Sequence, residues 1–122
     1  MYDKHSKAIK TVVSQYFQAI YNGDSDKLEN TFHPQAMLFG DIKGVPYFKT
    51  LTDYIDGVKS RKSPKDLEEN FKMEILSIEI MGNMAIVKAH VPMLGFNYYD
   101  FLSLNLVQGE WKIVNKLFTH VE

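Results

Sequence analysis

Apolar residues near the start of the chain recur with a helical period. Ile9, Val12, Val13, Tyr16, Phe17 and Ile20 fall at i, i+3, i+4, i+7 spacing and predict an amphipathic helix from about Ser6 to Asn22. Gly23 stands where a C′ glycine would end it. Asp24 or Ser25 can cap a short second helix that carries Leu28 and ends near Thr31. His33-Pro34 then breaks the chain, because the residue before a proline is driven toward extended geometry. A short strand is expected from Ala36 to about Phe39, with Gly40 and Gly44 bracketing a turn. Leu51, Tyr54, Ile55 and Val58 predict a third helix, capped by Thr50 or Thr52, and Ser60 to Asn70 reads as a mobile connection.

From Phe71 onward the period changes to two. Leu76, Ile78 and Ile80 alternate with other residues, Gly82-Asn83 makes a two-residue hairpin turn, and Ala85, Val87, Ala89 and Val91 alternate after it. Counting across the turn pairs Ile80 with Ala85 and Ile78 with Val87. Phe71, Met73 and Ile75 are out of phase with the residues that follow, which calls for a β-bulge near Ile75. Two more long strands run from about Phe96 to Val107 and from about Glu110 to His120. Three helices followed by long antiparallel strands make an α+β fold, and 122 residues make one domain, 1–122.

Composition narrows the function classes. With 45% hydrophobic and 24% charged residues the chain is ordinary globular material, and the absence of cysteine excludes disulfides, thiolate metal sites and cysteine nucleophiles. A net charge of −1 leaves no footprint for nucleic acid or an anionic membrane. Lys59, Arg61, Lys62 and Lys65 are followed at once by Asp66, Glu68 and Glu69, so this stretch reads as a solvated loop of mixed charge. No run of apolar residues reaches the ~20 of a membrane span, and Met1 to Lys10 does not resemble a signal peptide. A cytoplasmic location is expected, although a chain trimmed of a leader would read the same. His5, His90 and His120 are scattered, with no ligand spacing, so no metal and no cofactor is expected.

Two stretches resemble a known family. Val12-Val13-Ser14-Gln15-Tyr16 through Asn22-Gly23-Asp24, then Phe32-His33-Pro34, resemble the opening of the nuclear transport factor 2-like superfamily. Tyr99-Asp100-Phe101-Leu102-Ser103-Leu104, followed by Gly109-Glu110-Trp111-Lys112-Ile113-Val114-Asn115-Lys116, is similar to its small SnoaL-like group labelled putative lumazine-binding. The resemblance implies a cone-shaped barrel, in which a strongly bent mixed or antiparallel sheet wraps around the long N-terminal helix. It also implies homodimers joined through the outer sheet face. Members of the superfamily include isomerases, dehydratases, cyclases and binding modules without chemistry.

The resemblance extends to ketosteroid isomerase, an enzyme in which an apolar site keeps an aspartic acid neutral. Its helix tyrosine falls on Tyr16 and its late-strand aspartic acid on Asp100, whereas its general base falls on or beside Gly40. Asp41 is the neighbouring residue, and one step along a strand sends a side chain to the opposite face. His33 is a further candidate acid or base, or else it simply fills the turn before Pro34. The catalytic candidates are thus Tyr16, Asp100, His33 and Asp41.

Asp100 also stands out on parity alone. It shares a strand face with Tyr98, Leu102, Leu104 and Leu106, and a carboxylate in an apolar row must be protonated or partnered. Gln108 is a poor residue for a type I′ turn, so a three-residue loop of Val107, Gln108 and Gly109 is expected. That register sets Leu102 opposite Val114, Asp100 opposite Lys116 and Tyr98 opposite Phe118. A two-residue loop would instead turn Lys116 to the other face. Phe32, Met37, Phe39 and Tyr54 would complete an apolar pocket wall. The outer face would then carry Tyr99, Phe101, Trp111 and Ile113, apolar enough to be covered by a second subunit. Three functions fit: a homodimeric small-molecule binding protein, a lyase or isomerase stabilising an enolate, and a non-catalytic dimerisation module.

Overall fold

The computed structural model describes residues 2–122. Three helices are present among them: α1 (Tyr2–Asn22), α2 (Ser25–Asn30) and α3 (Leu51–Ser60). Six strands follow the order β1 (Phe32–Ile42), β2 (Val45–Thr50), β3 (Glu74–Met81), β4 (Met84–Met93), β5 (Phe96–Val107) and β6 (Glu110–His120). They form one sheet in the order β2-β1-β6-β5-β4-β3, parallel only between β1 and β6. The sheet is curled but not closed, and its concave face packs on the helices.

The helices follow the apolar stripes. Ile9, Val13, Tyr16, Phe17, Ala19 and Ile20 are the buried side of α1, which begins four residues earlier than Ser6. It ends in a Schellman arrangement, with the Gly23 amide donating to the Ile20 carbonyl and the Asp24 amide to that of Ala19. The Asp24 carboxylate then accepts from the Lys27 amide and caps α2, and Thr50 caps α3 by accepting from the Asp53 amide. Among the described residues no helix is long and apolar enough to cross a membrane.

Several expectations about the N-terminal half are corrected. β1 is 11 residues long, and His33-Pro34 lies inside it. The ladder to β6 jumps from Phe32↔Ile113 to Met37↔Asn115, so Pro34 sits in a wide irregularity where its missing N–H costs no ladder bond. The Gly40 to Gly44 region is not a simple turn leading to α3. Lys43 and Gly44, both at positive φ, form a two-residue hairpin turn into β2, which pairs Ile42 with Val45 and carries Pro46 on the sheet edge. Residues 60–70 are pinned in place: Ser63 and Asp66 exchange hydrogen bonds, and the Lys65 amide donates to the Tyr21 carbonyl.

In the C-terminal half the expected Ile80↔Ala85 and Ile78↔Val87 pairs form, and the ladder slips between Ile75 and Ser77, beside the position where the phase change requires a bulge. The β5–β6 turn differs. It has two residues, Gln108 at φ 50° and Gly109 at φ 81°, with Val107 opposite Glu110. Trp111 thereby lies opposite Leu106, and Ile113 opposite Leu104, both inward and both buried. They are core, not outer-face, residues, and the Trp111 indole donates to His5 Nδ1 on α1. Gln108 adopts left-handed geometry, which is unfavourable by about 1–2 kcal/mol. The register it permits buries two large side chains, worth more than that.

Candidate functional site

A second bulge decides what the interior contains. Between Ser103↔Asn115 and Leu104↔Ile113 the ladder skips Val114, which therefore flips the parity of β6. Beyond it Lys116 and Phe118 face inward, as Trp111 and Ile113 do before it. Lys116 lies opposite Leu102, and Asp100 lies opposite Phe118, so the two ionisable residues are diagonal neighbours. The expected face of Lys116 is recovered by a route the hairpin count does not contain, and the directly opposed Asp100–Lys116 pair is not formed. Among the described residues no cation lies within ion-pair distance of the Asp100 carboxyl.

Asp100 is 1% exposed and is held by α1: the Tyr16 hydroxyl donates to Oδ2 at 2.6 Å. Oδ1, equally buried, has no partner. Tyr16 itself is wedged by Phe17 and Phe32, the latter edge-on at 5.9 Å, and Phe32 in turn meets Tyr54 of α3 at 6.0 Å. The Lys116 ammonium sits 4.9–5.4 Å from the ring centroids of Tyr54, Phe118 and Tyr16, an aromatic cage for a cation. Its one hydrogen bond, to the Tyr54 hydroxyl, is long at 3.4 Å.

Electrostatics separate the two charges. Burial raises the Asp100 carboxyl above its ordinary range, and the opposing pull of Lys116 and of the Tyr16 hydroxyl does not cancel it. Burial pushes the Lys116 ammonium down, but Tyr54, Asp100 and Tyr47 outweigh that, and the net shift is upward. Burial, then Asp100, hold the Tyr16 phenol well above its usual value, so it remains a donor. The interior thus favours a protonated lysine beside a carboxyl that gives up its proton reluctantly.

These groups border a cavity of about 50 Å³ lined by Ile42, Tyr47, Tyr54, Arg61, Val91, Met93, Tyr98, Asp100, Lys116 and Phe118. Small-molecule sites commonly measure ~300–1,000 Å³, so the enclosed space takes only the polar head of a ligand. Burial raises the phenols of Tyr47 and Tyr98 at its rim against the pull of Lys116.

Residues 4–119 match the family model described as "Putative lumazine-binding". The chain belongs to this family. It is 31% identical over 110 residues to an aldolase, FrzH, from Cladobotryum sp., a match covering 84% of this chain and 81% of the aldolase. Among solved structures it resembles an NTF2-like protein of unknown function from Shewanella baltica, at TM-score 0.88 and 26% identity, covering 100% of this chain and 98% of that one. An NTF2-like protein of unknown function from Methylobacillus flagellatus also gives TM-score 0.88 and 26% identity, covering 98% and 94%.

Within this lumazine-binding-family cone, Tyr54, Tyr98, Asp100, Lys116 and Phe118 meet at the cavity, with Tyr16 and Phe32 packed behind them and Leu102 buried beside Lys116. The other candidates lie elsewhere. Met37 and Phe39, 46% and 42% exposed, point outward, because Ala36 and Leu38 take the inner face of β1. Val114 is the bulged residue and borders a separate cleft with Ser103 and Leu104. His33, half-buried in the irregular first part of β1, accepts from the Gln35 amide and does not line the cavity. Asp41 faces outward, where Oδ1 accepts from the Thr119 hydroxyl and Oδ2 from the Gly44 amide. The Thr119 bond, then the Gly44 amide, lower its pKa. Gly40 takes the inward position, and a Cβ there would lie 2.2 Å from the Phe118 carbonyl oxygen.

Sequence reasoning does not find Ile42, Tyr47, Arg61, Val91 and Met93. Tyr47 is hidden because β2 is not expected, and its signal is the Lys43-Gly44 pair between two apolar stretches. Arg61 falls within the solvated basic run, and nothing local distinguishes it from Lys59 or Lys62.

Proposed function

We propose that this protein binds a small polar molecule with its head in the interior cavity, anchored by Lys116 and by Asp100, which Tyr16 holds in place, and that it does so as a homodimer. One observation carries the proposal: Asp100 Oδ1 is buried, faces no partner, and belongs to a residue lining that cavity. An unsatisfied buried oxygen costs about 1–3 kcal/mol, and a ligand donor at this point would recover it. Support for the dimer comes from the outer face, where Phe39, Phe48, Tyr99, Phe101 and Leu117 border an apolar groove of about 740 Å³. Native mass spectrometry of the purified protein tests the assembly and any retained molecule together. A dimer with a small-molecule adduct that Asp100→Asn and Lys116→Met abolish is expected. Ligand uptake unaffected by both changes would defeat the assignment of the cavity, leaving a dimerisation module.

The aldolase relative favours a second reading, carbon–carbon bond cleavage in a β-hydroxy carbonyl compound. Ionised Asp100 would take the proton of the β-hydroxyl, and the bond between the two carbons would break into a carbonyl product and an enolate. The Lys116 ammonium and Tyr54 hydroxyl would hold the enolate oxygen, and the proton on Asp100 would return to the enolate carbon. Asp41 and His33, the bases expected for isomerase chemistry, lie outside the cavity, so Asp100 would have to serve both steps.

A further inference from the structure

The lining of the cavity carries more positive charge than its single carboxyl can match. Lys116 and Arg61 both border it, and Asp100 is the one acid among the lining residues. Neither cation is neutralised: among the described residues Arg61 makes no side-chain hydrogen bond or ion pair, and Lys116 makes only its long bond to Tyr54. An ammonium has three donors, so two on Lys116 are unused. Arg61 is the C-cap residue of α3, in extended geometry, and it stands exposed at the outer end of a cavity whose inner end holds Asp100 and Lys116.

The unused groups therefore form a polarised set. Cationic donors sit at both ends, and an acceptor without a donor, Asp100 Oδ1, lies at the depth of Lys116. Tyr47, Tyr54 and Tyr98 line the space between. One water needs about 10–15 Å³ of such space, so 50 Å³ holds about three or four waters, and since bonded atoms pack closer than waters it admits a compound of about five or six non-hydrogen atoms. A neutral apolar ligand would leave both cations and Oδ1 unmatched. A bulky one would not enter.

We propose that the ligand is a short α-hydroxy or α-oxo carboxylate, its carboxylate held between Lys116 and Arg61 and its α-oxygen directed at Asp100. This rests on the cavity being the binding site and adds the charge and length of what enters it. The Asp100 carboxyl fits both oxygens: with its proton on Oδ1 it donates to an α-oxo oxygen and does not repel the incoming anion, and without it Oδ1 accepts from an α-hydroxyl. An arginine at the rim suits a carboxylate because its planar fork bonds both oxygens at once.

The test uses lactate and pyruvate as probes, with lactamide as the uncharged counterpart of lactate. Amide shifts of the ¹⁵N-labelled full chain would be followed at low and high salt. Both carboxylates are expected to perturb the amides of Asp100, Lys116 and Arg61, and lactamide to bind about tenfold or more weakly. Arg61→Gln, an exposed change that leaves the core intact, should weaken lactate about tenfold and lactamide hardly at all. Equal binding of lactate and lactamide, or indifference of lactate to Arg61→Gln, would overturn the carboxylate assignment while keeping the cavity as a binding site. Shifts confined to the surface for all three probes would reject the cavity itself, and with it this inference.

Discussion

The two faces of the sheet invert the usual distribution of polarity. The inner face, sealed by α1 and α3, buries a carboxyl and an ammonium, while the outer face leaves Phe48 at 56% and Phe101 at 50% exposure. Interiors shed unpaired charge, and surfaces of monomers rarely keep a wide apolar patch. The proposed function accounts for each exception, with a small molecule in the interior and a second subunit on the exterior. Stability alone explains neither face. Replacing Asp100 and Lys116 by apolar residues of similar volume would be neutral or stabilising by general experience with buried charges.

The assignment of residues to faces can itself be broken. Inserting an alanine between Trp111 and Lys112 shifts the alternation that follows, so Lys112 must turn inward and Ile113 outward before the bulge is reached. Loss of cooperative thermal unfolding is expected, because such a change removes several kcal/mol from a fold worth about 5–15. Val114→Ala keeps the bulge and should cost no more than about 1.5 kcal/mol. A stable insertion variant would mean that the alternation before the bulge does not set the faces.

A smaller effect sharpens the inner half. Asp100 has its folded pKa raised above its ordinary value of 3.8, so the folded state holds the proton more firmly than the unfolded chain does. Its contribution is fully present below pH 3.8 and is lost as pH rises to the folded value. Asp100→Asn should flatten that decline, which can reach about 1.4 kcal/mol per pH unit, in chemical denaturation between about pH 4 and 8. Parallel curves for the two proteins would show that the carboxyl is not desolvated.

The smallest effect on folding, and the sharpest on assembly, belongs to the outer face. Phe101→Glu should leave stability within about 0.5 kcal/mol yet halve the mass seen by analytical ultracentrifugation. An unchanged mass would detach the exposed aromatics from any role in pairing.

Much of this contrast can be read along the chain. The α1 stripe, the α3 repeat and the alternation from Leu76 to Val91 each reflect one local periodicity, and all three elements form. Tyr16 and Asp100 are legible because a hydroxyl and a carboxyl interrupt apolar rows. Register is not. Gln108 looks unsuited to a tight turn, but Lys43 and Leu94 adopt the same left-handed geometry before a glycine elsewhere in this sheet. Strand twist selects the turn, and the residue tolerates it. The slip at Val114 leaves no local mark, since valine suits a regular strand as well as a bulge, and without it the two-residue turn that sets Trp111 and Ile113 inward counts Lys116 and Phe118 to the wrong side. Arg61 reaches the cavity only because α3 ends beside Tyr47 and Tyr98, residues distant from it in strand order and brought there by the curl of the sheet.

Gly40 limits what this interior can do. With no room for a side chain above the Phe118 carbonyl, the inward position on β1 beside Phe118 stays bare. The chamber therefore holds one titrating acid and no second one to share its proton. Any process governed from within should follow a single ionisation on its acidic limb, without the two-step profile of a carboxyl dyad.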